Sequence, residues 1–427
     1  MRTNLPVFFS DRDSVSHLDR HADDVVQAMR KWGIGRVDER DRVNFCGLIH
    51  HPKEGAVVFL PREAKTGDPT FDLQTASLTM KALARFGAET SKRNFANDGE
   101  SGNPGVLSVI KRLSDDFRDR GLFSERVRHR TRNSGKPNWT RTVTREIAMP
   151  GYKGQPVFTD IRTSRTASSS DALLAQIQAA VIREIHGAHA WWLSGTSSRR
   201  QELLSCLRPP FPRTTWASKL DALLPSLYSA RSVFLAEYLR YYLRDTRKSS
   251  DGAFVFGVGD FHTVWETMLR ETLLRSPFDT RRQWNAALPR PVYFHLNSDK
   301  RDPRSRGMQT DIILEDATGY TIVDAKYYEA KSAETAPGWT DIAKQLFYEK
   351  ALIEVLSLEG RLPSRIDNVF IFPRNSNNFC LSKVEMEHVN GSPVSDAFSS
   401  IECVYVPMQD CLRLYVSRSH GIKLPIP

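Results

Sequence analysis

The chain has 427 residues, of which 40% are hydrophobic and 26% are charged, so it is long enough for two or three domains with apolar cores. No apolar run approaches a membrane span, and the N-terminal MRTNLPVFFSDRDS lacks an apolar segment ahead of a small-residue cleavage site, so we expect neither membrane insertion nor a secretory signal. The five cysteines form no Cys-x-x-Cys pair, which argues against zinc and disulfides and favours a reducing cytoplasm. The net charge of +10 favours an anionic partner, most commonly nucleic acid.

Three regions follow one another along the chain, and the first covers residues 1–150. RVNFCGLIHHPKEGAVVFLPRE predicts two strands around a turn, whereas TFDLQTASLTMKALARFGAE and PGVLSVIKRLSDDFRDRGLF have the apolar spacing of amphipathic helices. The segment SERVRHRTRNSGKPNWTRTVTRE is strongly basic. We expect this N-terminal region to be α/β.

The second region, residues 151–250, is predicted to be mostly helical, with helical patterns in SSSDALLAQIQAAVIREIHGAHAWWL and SARSVFLAEYLRYYLRDT. The third, residues 251–427, opens with the helix GDFHTVWETMLRETLLR and continues through the strand candidates VYFHL, DIIL and YTIVDA. The helix DIAKQLFYEKALIEVLSLEG and the strands DNVFIFPR and CVYVPM follow. This order predicts an α/β (α+β) fold whose C-terminal part is a mixed sheet flanked by helices.

The segment TDIILEDATGYTIVDAKYYEA predicts a β-hairpin with its turn at residues 316–319. Asp324 and Lys326 are two residues apart in the second strand, so they share a face with their Cα atoms about 7 Å apart. The antiparallel return brings Asp311, at the outer end of the first strand, near Asp324. Either two carboxylates and an ammonium group converge here on a metal ion, or solvated charges cap an amphipathic hairpin.

Hydrolysis of a phosphodiester uses such a set of groups. Two carboxylates bind Mg²⁺, a hard cation that prefers oxygen ligands, and the backbone carbonyl of Ala325 is a further candidate ligand. The metal stabilises charge on the phosphate and helps to activate a water. A lysine alongside orients that water and offsets the developing negative charge, which is the role we predict for Lys326. Asp311 and Asp324 are the predicted metal-binding carboxylates.

Two other acid-Ala-Lys runs compete with this assignment, at residues 63–65 and 329–331. Pro61 precedes the first run and interrupts regular strand pairing there. The second run lies beyond the end of its strand. Neither has an aspartate on a paired strand opposite it, so the run at residues 324–326 is preferred.

Two helices offer supporting residues. Gln345 and Tyr348 are three positions apart on the helix that follows the hairpin, so they share a face that a packed helix would aim at the site. Glu266, on the preceding helix, is a candidate third carboxylate. The alternatives are that Tyr348 is partly buried with Gln345 solvated, and that Glu266 forms a surface ion pair with Arg270.

The order of Glu266, Thr310-Asp311, Asp324-Ala325-Lys326, Gln345 and Tyr348 resembles the PD-(D/E)xK nuclease superfamily. The segments FHTVWETML, TDIIL, IVDAKYY and DIAKQLFY are similar in sequence to the LlaJI-type restriction endonucleases, relatives of the McrC nuclease subunit of the McrBC system. The resemblance covers residues 252–427 well, and SGKPNWTRTV carries a weaker likeness upstream. Thr310 replaces the proline of the superfamily's name, at a position that ligates nothing.

The resemblance implies a restriction-endonuclease-like C-terminal fold and Mg²⁺-dependent cleavage of double-stranded DNA, with Mn²⁺ as an alternative metal. It implies a cytoplasmic role in restricting foreign DNA, and a partner, an AAA+ GTPase of the McrB type. Nuclease subunits arranged as a dimer are compatible with it. Asp311, Asp324 and Lys326 are carried over as catalytic, with Glu266 and Gln345 in support. The chain has no G-x-x-x-x-G-K-[ST] motif, so nucleotide hydrolysis would come from another chain.

The basic segment of the first region is the predicted DNA contact, because arginines with an aromatic neighbour suit a phosphate backbone and stacking on a base. A solvated face or a docking surface for the partner is the alternative. The candidate DNA-binding residues are Arg126, Arg128, Arg130, Arg132, Lys136, Trp139, Arg141 and, from the C-terminal region, Tyr348.

Two other functions stay open. One is a subunit that binds DNA and stimulates a partner NTPase without cutting. The other is the same nuclease chemistry used in recombination or transposition. A neighbouring motor gene and methyltransferases would favour restriction, and a neighbouring transposase would favour the second.

Overall fold

The computed structural model describes residues 6–16, 36–37, 42–51, 55–98, 106–169, 173–193, 204, 207–245, 254–273, 281–296, 301–303, 307–316, 319–361, 364–375, 381–392, 394 and 398–424. Its helices are α1 (Pro69–Asp98), α2 (Val106–Arg120), α3 (Trp139–Arg145), α4 (Leu173–His189), α5 (Trp216–Leu223), α6 (Ala230–Asp245), α7 (Phe261–Thr272), α8 (Arg281–Ala287), α9 (Trp339–Leu358) and α10 (Met408–Ser417). Its strands are β1 (Val7–Ser10), β2 (Arg36–Val37), β3 (Val43–Asn44), β4 (Cys46–His51), β5 (Gly55–Leu60), β6 (Glu125–Arg132), β7 (Lys136–Pro137), β8 (Met149–Pro150), β9 (Pro156–Val157), β10 (Arg162–Ser169), β11 (Phe254–Val258), β12 (Val292–Phe294), β13 (Arg301–Pro303), β14 (Ile312–Glu315), β15 (Gly319–Ala325), β16 (Arg365–Arg374), β17 (Lys383–Val384) and β18 (Ile401–Pro407).

The chain divides into two compact units. A discontinuous unit combines Met1–Leu107 with Ser249–Pro427, and an inserted unit consists of Ser108–Lys248. This division by compactness cuts across the regions predicted at 1–150, 151–250 and 251–427, and the separate roles given to those regions remain predictions. The predicted α/β (α+β) class is confirmed, because helices and mixed sheets alternate through the discontinuous unit.

One sheet of the discontinuous unit joins its two stretches of chain. Its strand order is β1-β5-β4-β11, so β11, which follows the insertion, pairs antiparallel with β4. Gly47 and Gly257 are opposite each other in this pair. A Cβ on Gly47 would lie 2.2 Å from the carbonyl oxygen of Phe256, and one on Gly257 would lie 2.3 Å from that of Cys46. Only glycine permits this close approach of the two backbones.

The second sheet of the discontinuous unit carries the predicted hairpin. Its order is β14-β15-β16-β18-β17, with β15, β16 and β18 parallel and an antiparallel strand at each edge. Tyr320 and Ile322 point to one face of β15 and pack against α9, whose apolar residues complete a buried cluster. The cluster contains Trp284, Ile313, Tyr320, Ile322, Leu352, Val355 and Leu356.

Helix α7 lies before this sheet in the chain and follows the predicted periodicity. Its buried residues recur at three- and four-residue spacings, which gives the helix one apolar stripe. They are Phe261, Val264, Trp265, Thr267, Met268, Leu269 and Thr272. Glu266 is between these buried positions and is only partly exposed.

Residues 151–250, predicted to be mostly helical, also contain a long strand. Helices α4, α5 and α6 occupy much of residues 151–250, but the same stretch contains β10, an eight-residue strand that was not predicted. Its sequence RTSRTASS has no apolar alternation, and the strand pairs antiparallel with both β6 and β7. In the part of the chain that the structure describes, no helix is both long and apolar enough to span a membrane.

Candidate active site

The β14–β15 hairpin places the two predicted carboxylates together. Ile312 pairs with Val323, so one further step of the antiparallel register puts Asp311 opposite Asp324. An oxygen of the Asp311 carboxylate accepts the backbone N–H of Ala325 at 2.9 Å. The negative charge of Asp311 also raises the pKa of Asp324. Strand register and one backbone hydrogen bond therefore fix this pair.

Lys326 completes the cluster from the same strand end. Its ammonium nitrogen lies 2.7 Å from Asp324 and 2.8 Å from Asp341. The nitrogen also lies 5.5 Å from the centroid of the buried Phe370 ring, and the backbone N–H of Lys326 donates to the carbonyl of Ile371. Only 13% of the Lys326 side chain is exposed, so this ion pair is shielded from solvent.

Burial and like charge control the protonation of the cluster. Burial raises the pKa of Asp311, and the negative charge of Glu266 raises it further. Burial raises the pKa of Asp324 to about 6, although the ammonium of Lys326 opposes the shift. Burial alone would lower the pKa of Lys326, but its ion pairs with Asp324 and Asp341 outweigh burial and raise it. Two neighbouring, partly buried carboxylates are thus costly to ionise together, and a nearby cation relieves that cost.

Helix α9 carries Gln345, a predicted supporting residue, and Tyr348, a predicted DNA contact. Gln345 is fully buried and donates its amide N–H to the carbonyl of Ile322 at 2.8 Å, so the alternative of a solvated Gln345 is wrong. Tyr348 donates its hydroxyl to the carbonyl of Gln309 at 2.9 Å. Burial raises the pKa of Tyr348, and the charges of Asp324 and Asp311 add to the shift.

Asp341 is a member of the cluster that the sequence analysis missed. It lies in the first turn of α9, where a carboxylate also interacts favourably with the helix dipole. Asp341 precedes Gln345 by one helical turn, so both residues occupy the same face of α9. That spacing was a usable signal, since any helix that aims Gln345 at the hairpin also presents Asp341 to it.

The competing acid-Ala-Lys runs have different surroundings. Glu63 has a left-handed backbone with φ of 56° and lies after the end of β5, beyond the last paired residue Leu60. Glu329 forms an ion pair with Lys331 of its own run. Neither run belongs to a described strand, so register places no second carboxylate beside them.

The predicted DNA-binding residues belong mostly to the inserted unit. Arg130 and Arg132 end β6, Lys136 lies in β7, and Trp139 and Arg141 lie in α3. Trp139 is 56% exposed. The backbones of positions 126 and 128 lie in β6, but these two side chains fall outside the described residues. Tyr348 lies in the discontinuous unit instead.

The cluster offers oxygen donors for the predicted metal ion. Among the described side chains, no group of three or more His, Cys, Asp and Glu is placed to hold a metal. Mg²⁺ needs fewer protein ligands, because it keeps several waters and is usually held by one or two carboxylates. Asp311 and Asp324 supply such a pair, and the buried side-chain oxygen of Gln345 has no hydrogen-bond partner among the described residues. This oxygen-only donor set fits Mg²⁺.

A mixed sheet with two carboxylates at paired strand ends, and a lysine two residues further on, is the arrangement of a PD-(D/E)xK nuclease. The model of the LlaJI restriction endonuclease family matches residues 45–402. The chain belongs to this family, and the resemblance predicted from its motifs is confirmed.

Individual relatives match more weakly. The type II restriction enzyme BsuMI component YdjA of Bacillus subtilis (strain 168) is 29% identical over 162 residues, which cover 35% of this chain and 33% of that protein. The match thus spans about a third of the relative's length. The refined half-complex of Thermococcus gammatolerans McrB AAA+ hexamers with bound McrC aligns over 97% of this chain and 98% of its own, at 13% identity and a TM-score of 0.40. A second McrBC complex from the same organism aligns over 62% and 85%, at 12% identity and a TM-score of 0.29.

Proposed function

We propose that this chain is a Mg²⁺-dependent endodeoxyribonuclease, with Mn²⁺ as an alternative metal, that cleaves double-stranded DNA in a restriction system acting against foreign DNA. The observation that carries the proposal is the shielded cluster of Asp311, Asp324 and Lys326 at the end of the β14–β15 hairpin. Membership of the LlaJI restriction endonuclease family supports the nuclease activity.

Each residue of the cluster has a distinct role in this proposal. Asp311 and Asp324 hold Mg²⁺, helped by the carbonyl oxygen of Ala325 and by Glu266. When bound, Mg²⁺ stabilises charge on the scissile phosphate and makes a bound water a better nucleophile. Lys326 orients the attacking water and offsets the negative charge that develops on the phosphate.

Two residues of α9 act through their neighbours. Asp341 lies 2.8 Å from the Lys326 ammonium, so it keeps that group charged and in place when Asp324 is engaged elsewhere. Gln345 bonds the backbone of β15 two residues before Asp324, so it holds the strand that carries the site. Asp341 is therefore a positioning residue, and Gln345 a supporting one.

The proposed setting is a cytoplasmic complex with a McrB-like AAA+ GTPase. The likeness of the motifs to LlaJI-type and McrC-type proteins supports this partner, and the lack of a P-loop motif in the chain agrees with nucleotide hydrolysis by another subunit. The DNA contacts proposed for the inserted unit come from Arg126, Arg128, Arg130, Arg132, Lys136, Trp139 and Arg141. Tyr348 is proposed to contact DNA near the cluster. Two nuclease subunits acting together would account for cutting both strands.

The test is Asp324→Ala in the full chain, with Glu329→Ala as the matched control from the neighbouring acid-Ala-Lys run. Mn²⁺ binding is measured by electron paramagnetic resonance, which needs no partner, and nicking of supercoiled plasmid is measured with the co-expressed motor. We expect Asp324→Ala to lose Mn²⁺ binding and all measurable nicking at an unchanged melting temperature. Glu329→Ala should retain both.

Each other outcome has a definite meaning. Nicking by Asp324→Ala at the wild-type rate would overturn the assignment of the site. A wild-type complex that hydrolyses GTP on DNA but never nicks it would favour the non-cleaving subunit. If this chain cleaves DNA and its gene lies beside a transposase gene, the same chemistry would serve recombination.

A further inference from the structure

A basic concavity lies on the inserted unit where β6, β10 and α3 meet. Its volume is about 560 Å³, which falls within the range of small-molecule pockets and exceeds what a bare ion needs. The residues that line it are Arg130, Thr131, Arg132, Asn138, Arg141, Arg162, Thr163 and Ser164. We refer to this set as the arginine cup.

Hydrogen bonds make the floor of the cup a built structure. Thr163 is buried and donates its hydroxyl to the carbonyl of Ser134 at 2.7 Å, and its oxygen lies 2.8 Å from the hydroxyl of Thr131. The backbone N–H of Arg162 donates to the hydroxyl of Thr142 at 3.0 Å, and this hydroxyl donates to the carbonyl of Asn138 at 2.9 Å. These bonds tie α3 to β10 and fix the spacing of the cup walls.

The wall carries much more positive than negative charge. Glu146 forms ion pairs with Arg162 and, at 4.0 Å, with Arg132. No carboxylate of the described residues lies within ion-pair distance of Arg130 or Arg141. Repulsion from Arg130, followed by partial burial and repulsion from other arginines, lowers the pKa of the Arg141 guanidinium. Such a cluster of like charges is relieved when an anion binds.

We propose that the arginine cup binds the phosphate group of a phosphate ester, with arginine forks engaging the phosphate oxygens and the sugar filling the remaining volume. Guanidinium groups match phosphate in planar two-point contacts, and hydroxyl and amide side chains such as those of Ser164 and Asn138 supply weaker bonds to the ester oxygens. The exposed Trp139 follows Asn138 directly and is available for stacking on a base. That the bound phosphate belongs to DNA rests on the proposed function, whereas the recognition of a phosphate group does not.

The experiment measures binding of the full chain to a short fluorescent DNA duplex in EDTA, where no cleavage occurs. Arg141→Gln removes a charge that lines the cup, and Arg145→Gln removes the same charge from the same helix outside it. Loss of one charge-assisted contact should weaken binding by about tenfold or more. It should also reduce the slope of log K against log salt by about 1. Arg145→Gln should change affinity less than twofold.

Two further arms separate the sources of the phosphate. If DNA backbone phosphates fill the cup, pyrophosphate and GTP should compete only at high concentration. If a free nucleotide fills it, a fluorescent GTP analogue should bind the wild-type chain and lose affinity in Arg141→Gln, while duplex binding stays unchanged. Either result supports a phosphate site in the cup.

Two results would overturn the assignment. Equal losses in Arg141→Gln and Arg145→Gln would mean that only the general positive field attracts the anion. If the folded chain, with a normal melting temperature, binds neither the duplex nor the GTP analogue nor pyrophosphate, the cup is not a phosphate site. Failure of the nuclease proposal is a separate outcome, because the Asp324 variants are assayed by metal binding and nicking.

Discussion

The acidic cluster of the discontinuous unit and the arginine cup of the inserted unit are both concentrations of like charge, but they are built differently. The carboxyl groups of Asp311 and Asp324 are partly buried, and the shielded Lys326 lies in contact with Asp324. The guanidinium of Arg130 is exposed and that of Arg141 partly exposed, with no described carboxylate paired to either. A buried cluster resists salt, whereas an exposed one acts through a field that is screened within about 10 Å at 0.1 M salt. We therefore expect salt to weaken DNA binding while leaving the chemistry at the cluster unchanged.

After the complete loss of nicking expected for Asp324→Ala, the largest effect should come from removing the cation of the acidic cluster. Lys326→Met should lower the rate of plasmid nicking by about 10²–10³-fold, because the charge that develops on the phosphate loses its nearest ammonium group. Duplex affinity in EDTA should not change. Lys331→Met is the control, since Lys331 is an exposed lysine paired with Glu329. Equal nicking by Lys326→Met and wild type would mean that Lys326 serves only to hold the fold.

The effect of burial on the pKa of a carboxyl group is best measured at Asp11, because no second carboxylate shifts the pKa of this residue. Burial raises the pKa of Asp11 from 3.8 to about 6, and the charges of Arg62 and Arg12 offset it only in part. The folded protein therefore holds a proton on Asp11 that the unfolded chain has already released, so stability falls as pH rises from about 4 to 6. Asp11→Asn should remove up to about 3 kcal/mol of this fall.

The measurement for Asp11 is urea unfolding at several pH values, with the exposed Glu387→Gln as the control. The Asn variant keeps an oxygen that can accept the backbone N–H of Phe45, as Asp11 does at 3.2 Å. An unchanged pH dependence in Asp11→Asn would show that burial does not raise the pKa of this carboxyl, and would weaken the same explanation for Asp324.

Substitution of Asp341 tests whether nicking requires the second carboxylate that pairs with Lys326, in addition to Asp324. Asp341→Asn should reduce nicking by about 10- to 100-fold, the range seen when a group that orients a metal-site residue is lost. Asp341→Glu should restore most of the rate, because it returns the charge. A purely structural role in the first turn of α9 would instead lower the melting temperature and leave the nicking rate of the folded protein unchanged.

The smallest expected effect is on the affinity of the arginine cup for duplex DNA. Glu146→Gln removes the carboxylate that pairs with Arg162 and Arg132. Both guanidiniums then become available to phosphate, so duplex affinity should rise about threefold to tenfold and the salt slope should steepen by about 1. Asp119→Asn, which removes an exposed charge from the same unit, should leave both unchanged. Weaker duplex binding by Glu146→Gln would mean that this carboxylate organises the cup.

The parts of the site that could be predicted are those set by local sequence. The alternation of β15 and the antiparallel return of the hairpin determine the neighbourhood of Asp311, Asp324 and Lys326, and all three lie within a short stretch of chain. The helical spacing of Gln345 and Tyr348 was read correctly for the same reason. The fold class followed from the order of strands and helices.

The parts that could not be predicted depend on pairing between distant segments without an apolar pattern. Apart from Ala167, strand β10 is polar, so no apolar pattern in RTSRTASS predicted its pairing with β6 about thirty residues earlier. Arg162 was therefore absent from the predicted DNA contacts although it lines the cup. The pairing of β11 with β4 across the insertion was missed in the same way.

That last pairing has a consequence for synthesis on the ribosome. β4 and β5 leave the exit tunnel early, but β11 lies roughly 190 residues after the end of β5. At about 5–20 residues per second, the open edge of β4 waits about 10–40 s for its partner. An unpaired edge invites pairing with other chains. The inserted unit is continuous and complete before β11 appears, so the nascent chain gains the arginine cup before it closes the first sheet of the unit that carries the acidic cluster.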